Sequence, residues 1–191
     1  MSKSALIALA ESSEELEAIT LSNVLRRANI RATLASVEST NTVTCARHAT
    51  IVCDARVSDL SSGQTKFDFI VLPGGMPGAS RVAASAELKS MMKKHVEQGR
   101  WYGAICASPA VVLKEWGLFP KKGTCYPAKG FLDKIEGAEN ITEKVVVDEE
   151  AKCVTSQGPG TAMAFALKII ELLEGKEVAR SVAKALIFEY S

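Results

Sequence analysis

The sequence has little histidine, few aromatic side chains and no excess of charge of either sign. Of its 191 residues, two are histidines and 6% are aromatic, and 23 basic against 22 acidic residues give a formal net charge of +1. This balance provides no overall field that would attract nucleic acid or an anionic membrane. With 47% hydrophobic and 24% charged residues, the composition is typical of a globular protein, and the length predicts a single domain over residues 1–191.

The N-terminal region also lacks a long apolar run. The first such run covers only Ala5 to Ala10 and is followed by Glu11. A signal peptide needs a longer run with a cleavage site, and a membrane-spanning helix needs about 20 apolar residues. We therefore expect a cytoplasmic protein that does not associate with membranes.

The cysteines form no recognisable disulfide or metal-binding pattern. Their number is odd and no CxxC pair occurs; they are Cys45, Cys53, Cys106, Cys125 and Cys153. Because the chain has only His48 and His95 to add to them, we expect neither a disulfide framework nor a zinc site. His95 lies among lysines in a helical pattern, which predicts that it faces solvent.

Short apolar runs alternate with helical patterns along the chain. Strands are predicted at Ser4–Ala10, Ile30–Val37, Phe67–Leu72, Trp101–Ile105 and Cys153–Thr155, and a hairpin at Thr42–Cys45 and Thr50–Cys53. Helices are predicted at Glu14–Asn29, Ser85–Gln98, Ala107–Glu115, Thr161–Leu173 and Lys176–Leu186. This alternation predicts an α/β fold whose mainly parallel sheet is covered by helices on both faces. Ligands of such sheets bind beyond the carboxyl ends of the strands.

Cys106 lies at such a strand end, directly before a predicted helix. The residues two positions before and after it, Ala104 and Ser108, are small, as the tight turn of a nucleophile elbow requires. Pro109 suits the first turn of the helix, whose free N–H groups favour an anion. The alternative is a buried cysteine that only fills space. The position at the strand end favours a reactive thiolate, with a pKa of about 5–6.

Four motifs occur in order and point to a known family. They are Ala10 through Ser13–Glu14–Glu15–Leu16–Glu17, Val71–Leu72–Pro73–Gly74–Gly75, Ala104–Ile105–Cys106–Ala107–Ser108–Pro109 and Thr155–Ser156–Gln157–Gly158–Pro159–Gly160–Thr161. In these motifs the chain resembles the DJ-1 branch of the ThiJ/PfpI superfamily, along nearly its whole length. The resemblance implies a flavodoxin-like three-layer sandwich that forms a homodimer. It also implies that Cys106 is the reactive cysteine, readily oxidised to a sulfinate, and that Glu17 contacts its sulfur.

The same resemblance implies roles for residues around Cys106. The backbone N–H groups of Gly75 and Ala107 match the family's oxyanion site. Arg27 and Arg47 match the arginines that line its anion pocket, one of them supplied across the dimer. Cys53 matches a cysteine near the dimer interface and is a secondary oxidation site by this comparison.

Tyr126 occupies the place where many relatives carry a histidine close to the cysteine. With no evident Cys–His dyad, a hydrolase or protease function is weakened, since the nucleophile needs a base. Tyrosine is a poor base at neutral pH because its pKa is near 10. Tyr126 is therefore either a proton relay or a packing residue.

Two functions remain open at this point. The first is a slow enzyme of the glyoxalase III or protein/nucleotide deglycase type, with no metal or organic cofactor, in which Cys106 attacks aldehydes such as methylglyoxal. Glu17 would be protonated beside the thiolate and would serve as the acid/base. The second is a redox-sensing protective protein or holdase chaperone, in which oxidation of Cys106 is the signal and client proteins are the targets.

Overall fold

A seven-stranded sheet forms the centre of the computed structural model, which describes residues 2–61 and 66–190. Its strands are β1 (Ser4–Leu9), β2 (Arg31–Ser36), β5 (Ala55–Arg56), β6 (Phe69–Leu72), β7 (Trp101–Ile105), β8 (Val145–Asp148) and β9 (Cys153–Ser156), while β3 (Thr42–Thr44) and β4 (Thr50–Val52) pair separately as an antiparallel hairpin. The strand order is β5-β2-β1-β6-β7-β9-β8. Within the seven-stranded sheet, β8 pairs antiparallel with β9, and the other described strand pairs are parallel.

Helices cover both faces of this sheet. The longer ones are α1 (Glu15–Arg27), α3 (Gly78–Ala84), α4 (Ala86–Glu97), α6 (Ala162–Glu174) and α7 (Lys176–Ala185). Shorter helical turns are α2 (Val57–Ser61), α5 (Lys129–Leu132), a π-helical turn at Pro109–Leu113 and 3-10 turns at Asp133–Ile135 and Pro159–Thr161. In the described ranges no helix is long and apolar enough to cross a membrane.

Side chains alternate across the central strand β1 and so join two hydrophobic layers. Ile7 packs in the layer that contains Leu21 of α1 and Phe165 of α6. The preceding residue, Leu6, packs in the opposite layer with Met92 of α4. This alternation follows from the two-residue period of a strand. The flavodoxin-like three-layer sandwich predicted from the sequence is therefore confirmed.

The structure refines one local prediction and contradicts another. The helix predicted at Ala107–Glu115 contains a π-helical turn, in which the N–H of Lys114 donates to the carbonyl of Pro109 at 3.1 Å. His95 is only 5% exposed, because it continues the buried row of Leu88 and Met92 at helical spacing. Its Nε2 lies 2.8 Å from the carbonyl oxygen of Trp101, and burial lowers the pKa of the imidazole.

The strand order also determines where the chain can build a site. β1 lies between β2 and β6. The chain therefore continues first to one side of β1 and later returns to extend the sheet on its other side. Crevices form at such switch points, outside the carboxyl ends of the strands. Here the N-terminus of α1, the loop after β6 and the turn after β7 meet at one edge.

Candidate active site

The turn at Cys106 has the strained backbone of a nucleophile elbow. Cys106 has a φ of +65°, a left-handed conformation that is uncommon for residues other than glycine. Its N–H donates to the carbonyl of Ser156 at 3.0 Å, and its carbonyl accepts from the N–H of Tyr126 at 2.8 Å. Bonds from two neighbouring segments therefore hold the turn, and its side chain is partly accessible.

Gly74 approaches this turn so closely that no side chain fits there. A Cβ on Gly74 would lie 2.5 Å from Cys106 Cβ and 3.0 Å from Cys106 Sγ. Gly75 has a φ of +89°, which also favours glycine. The glycine pair after β6 thus lets the backbone pass against the sulfur.

Two backbone amides point at the sulfur from these two segments. The N–H groups of Gly75 and Ala107 donate to Cys106 Sγ. Both hydrogen bonds favour the anionic sulfur and lower the pKa of the thiol. These are the two amides that the resemblance singled out, and they converge on the atom to which the resemblance assigned reactivity.

Glu17, in the first turn of α1, is the third group at the sulfur. Its side chain is fully buried, and its carboxyl lies close enough to the Cys106 sulfur for each group to shift the pKa of the other. Oε2 accepts a 2.7 Å hydrogen bond from the N–H of Gly74, whereas Oε1 has no hydrogen-bond partner among the described residues. Burial raises the pKa of Glu17 to about 7, against the opposing effect of the Gly74 amide, and the charge of Glu14 raises it further.

The protonation states of Glu17 and Cys106 depend on each other. Burial and an ionised Glu17 outweigh the two amides and raise the pKa of the Cys106 thiol to about 12. The pKa of about 5–6 predicted from the sequence is therefore wrong for the state in which Glu17 is ionised. When Glu17 is protonated, the same contact becomes a hydrogen bond from a neutral acid to the sulfur and stabilises the thiolate. Two buried anions in contact would be unfavourable, so the pair retains one proton near neutral pH and titrates as a unit. The two amides on the sulfur favour the state with the proton on Glu17.

Arg47 lies beside the site, on the loop between β3 and β4. Its N–H donates to Glu15 Oε1 at 2.8 Å, and the N–H of Ala49 donates to the same oxygen at 3.3 Å. Glu15 therefore fastens this loop to the first turn of α1, two residues before Glu17. The Arg47 guanidinium is exposed.

Arg27 is not brought to Cys106 within the chain. It ends α1, ten residues after Glu17, which corresponds to about 15 Å along a helix. Its Nε donates to Asn23 Oδ1 at 2.9 Å. Arg27 also lines a surface groove with Ile19 and Leu34, on the outer side of α1.

Tyr126 lies next to the elbow, because its N–H donates to the carbonyl of Cys106. Its ring packs edge-on against Phe131, with centroids 6.0 Å apart, and lies beside Gly158. The side chain is 42% exposed. Its hydroxyl makes no hydrogen bond to any residue that the structure describes, so the contacts of Tyr126 are those of a packing residue with a solvated tip.

The other cysteines differ from Cys106 in their burial. All four have unpaired thiols inside the protein: Cys45, Cys53, Cys125 and Cys153. Burial raises the pKa of Cys53 to about 11, so its thiol stays protonated. Across residues 2–61 and 66–190, no three or more histidine, cysteine or acidic side chains are grouped as metal ligands would be.

Two residues make hydrogen bonds at the site that the sequence does not predict. Gly74 supplies the amide that binds Glu17, and Ser108 donates from Oγ to the carbonyl of Pro73 at 2.5 Å. In the sequence both stand out only as members of motifs or as small residues. The motif Pro73–Gly74–Gly75 is the feature of the sequence that points to Gly74. The feature that points to Ser108 is a hydroxyl side chain at a position where the turn requires only a small residue.

Comparison with protein families matches residues 3–172 to the DJ-1/PfpI family. The chain belongs to this family. Protein DJ-1 homolog A of Arabidopsis thaliana is 40% identical over 183 residues, which are 95% of this chain and 45% of the plant protein. The chain thus spans about half the length of that DJ-1 relative.

Other DJ-1 relatives match along their whole length. Glutathione-independent glyoxalase DJR-1.2 of Caenorhabditis elegans is 40% identical over 188 residues, 96% of each chain. The structure of oxidized Toxoplasma gondii DJ-1 superimposes with a TM-score of 0.93 at 40% identity, covering 99% of this chain and 100% of that one. These matches confirm the family resemblance drawn from the four motifs.

Proposed function

We propose that this chain is a cysteine-dependent enzyme that converts small reactive aldehydes, with methylglyoxal to lactate as its glyoxalase III-type reaction. The observation that carries the proposal is a single partly accessible sulfur contacted by two backbone amides and a buried carboxyl. A relative with 40% identity is named a glutathione-independent glyoxalase. This name supports the same chemistry here.

The reaction begins with the proton on Glu17 and the charge on Cys106. The thiolate attacks the aldehyde carbon, the S–C bond forms, and the carbonyl oxygen takes the electron pair and the proton from Glu17. The amides of Gly75 and Ala107 are the donors available to stabilise negative charge during this step. The product is a hemithioacetal and an ionised Glu17.

Glu17 then moves a proton between the two carbons of the adduct. It removes the proton from the carbon bonded to sulfur, which gives an enediolate, and returns it to the neighbouring carbon, while the hydroxyl proton moves from the first oxygen to the second. The resulting lactoyl thioester of Cys106 is hydrolysed by water to lactate and the thiolate. The balance is methylglyoxal plus water to lactate plus one proton, with no net redox change and no step that requires a cofactor. The same attack on a glycated adduct would give deglycase activity.

A second copy of the chain is the partner we propose for the outer side of α1. Leu16 and Ile19 lie three residues apart on this helix and are 50% and 48% exposed, and Val52 of β4 is 68% exposed. The ion pair between Arg26 and Asp54 holds α1 beside the hairpin that carries Val52. Burying such a face is a common basis of symmetric dimers. Arg27 lies on the same side, so a partner would receive it near its own site.

Lactate formation from methylglyoxal by the purified protein tests the enzymatic proposal. Cys106→Ser removes the nucleophile and is expected to reduce turnover to the background rate. Cys53→Ser is the matched control, because that thiol is buried whereas Cys106 is partly accessible; it should retain activity. Equal turnover by the native protein and Cys106→Ser would overturn the proposal.

The exposure of Cys106 also favours the second candidate, a redox-sensing protective protein or holdase. Among the five cysteines, Cys106 is the one that is not fully buried. Two equivalents of peroxide would oxidise its sulfur first to a sulfenate and then to a sulfinate, each releasing water. Peptide mass mapping after mild peroxide should find two added oxygens at Cys106 before any change at Cys53. Suppression of client aggregation that appears only after this oxidation, without lactate formation, would favour the sensor.

A further inference from the structure

We propose that Ser108 is a positioning residue, which orients and polarises the Pro73–Gly74 peptide and thereby sets how one proton is shared between Glu17 and the Cys106 sulfur. The inference rests on the proposed function, because it concerns the same thiolate. It adds a residue to that site which acts through others and touches neither the substrate nor the sulfur.

One peptide group links Ser108 to Glu17. Ser108 is fully buried, and its Oγ donates to the carbonyl oxygen of Pro73 at 2.5 Å. The N–H of Gly74 belongs to the same planar peptide unit and donates to Glu17 Oε2 at 2.7 Å. Because the peptide is planar, fixing the direction of its C=O also fixes the direction of its N–H.

The hydrogen bond from Ser108 also polarises the Pro73–Gly74 peptide. A donor on the carbonyl of an amide makes its N–H a stronger donor, and such chains strengthen cooperatively in a low-dielectric interior. A stronger hydrogen bond to Oε2 makes the proton of Glu17 more acidic. Because Glu17 and Cys106 share one proton, a more acidic Glu17 moves that proton toward the sulfur, so Ser108 raises the apparent pKa of the Cys106 thiol from two residues away.

The Ser108 hydroxyl is not used to cap the π-helical turn that follows it. Ser108 precedes the π-helical turn that begins at Pro109, but its side chain does not cap that turn. It reaches instead to the loop after β6. This loop carries the amide of Gly75 and the elbow carries the amide of Ala107, and both amides bind the sulfur. The Ser108–Pro73 bond therefore joins the two segments that supply the donors.

The test compares the apparent pKa of the Cys106 thiolate in variants of the full-length protein. It is obtained from the pH dependence of alkylation by iodoacetamide, followed at Cys106 by peptide mass. In Ser108→Ala we expect the pKa to fall by about 0.5–1 unit and alkylation at pH 6 to speed up about three- to tenfold, because Glu17 then keeps the shared proton more firmly. Ser108→Thr keeps the hydroxyl and should stay near the native value.

Ser4→Ala is the matched control for loss of a buried serine hydroxyl. Ser4 is 4% exposed and donates to Asp68 Oδ2 at 3.0 Å, at the start of β1 and hence at the opposite edge of the sheet. It should leave the Cys106 titration unchanged. A merely structural role of Ser108 would lower thermal stability in Ser108→Ala as in Ser4→Ala, without moving the thiolate titration.

Each other result overturns the positioning role. An unchanged titration in Ser108→Ala does so, as does an equal shift in Ser108→Ala and Ser108→Thr, which would point to packing. Failure of both Ser108→Ala and Ser108→Gly to fold would make Ser108 a residue required for folding only. The proposed function fails by a separate measurement, namely a native protein that makes no lactate, and the shift caused by Ser108→Ala is measured independently of that result.

Discussion

Glu17 and Gly74 are joined by a 2.7 Å hydrogen bond between a buried carboxyl and a backbone amide, although they lie 57 positions apart in the sequence. The same glycine lies against the Cys106 side chain. One residue without a side chain therefore serves both members of the titrating pair, since it donates to the acid and leaves room for the sulfur.

Gly74→Ala should destroy this arrangement. Its Cβ would lie 2.5 Å from Cys106 Cβ, a separation that real side chains do not adopt, so the loop after β6 must move. We expect a loss of about 1–3 kcal/mol of stability from overpacking and a strong loss of lactate formation. Gly130→Ala is the control, because no described atom lies within 4 Å of the methyl group it would add and its φ is not positive. Thermal unfolding and lactate assays of both variants check the prediction, and native-like activity in Gly74→Ala would contradict it.

The raised pKa of Glu17 predicts a specific dependence of stability on pH. In a Cys106→Ser background Glu17 titrates without the thiolate, between a folded pKa of about 7 and an unfolded value of 4.5. A raised pKa contributes stability that is complete below the unfolded value and is lost as the pH rises through the folded one. Between pH 4.5 and 8, Cys106→Ser should thus lose up to about 3 kcal/mol relative to Cys106→Ser/Glu17→Gln.

Thermal unfolding of these two variants across that range measures the difference. Other carboxylates are shared by both proteins, so their contributions cancel. The melting temperature of Cys106→Ser should fall by several degrees relative to that of Cys106→Ser/Glu17→Gln as the pH rises. Parallel curves would mean that the carboxyl is not held in its neutral form by burial.

Tyr126 allows the proton relay and the packing role to be separated. Because its hydroxyl has no hydrogen bond to a described residue, we expect Tyr126→Phe to retain kcat for lactate formation within about twofold. Tyr126→Ala removes the ring that packs on Phe131 and should raise KM. A relay by a general acid or base typically contributes about 10²–10⁴-fold. A loss of that size in Tyr126→Phe would contradict the packing interpretation.

The central strands and the order of the layers are predictable from the sequence because they rest on local apolar runs. The π-helical turn after Cys106 is not predictable in this way. The hydrogen bond that closes it joins Lys114 to Pro109, and such a turn differs from an ordinary α-helical turn by a small free energy. The prediction for His95 is wrong because its neighbours in the sequence are lysines. Its environment is set by Trp101, across a turn of the chain.

The candidate site shows the same division. The small residues at positions 104 and 108 are predictable from the tight turn around Cys106, and Gly74 from its motif. The partners of their polar atoms are not, because the carbonyl of Pro73 lies 35 positions from Ser108 and comes close only when β6 and β7 pair. A motif thus indicates which residues gather at a strand end, whereas the direction of each hydrogen bond follows from the folded backbone.

The proposed dimer predicts that a charge on the outer side of α1 separates the subunits. Ile19 is 48% exposed and lines the groove that also contains Arg27. Ile19→Lys would bury an unpaired charge in a symmetric contact, where each substitution counts twice. Sedimentation velocity should find a dimer for the native chain and a monomer for Ile19→Lys, while Ile187→Lys, at a residue that is 98% exposed at the other end of the chain, should remain dimeric. A native chain that sediments as a monomer at all concentrations would overturn the dimer and with it the role of Arg27 at a partner's site.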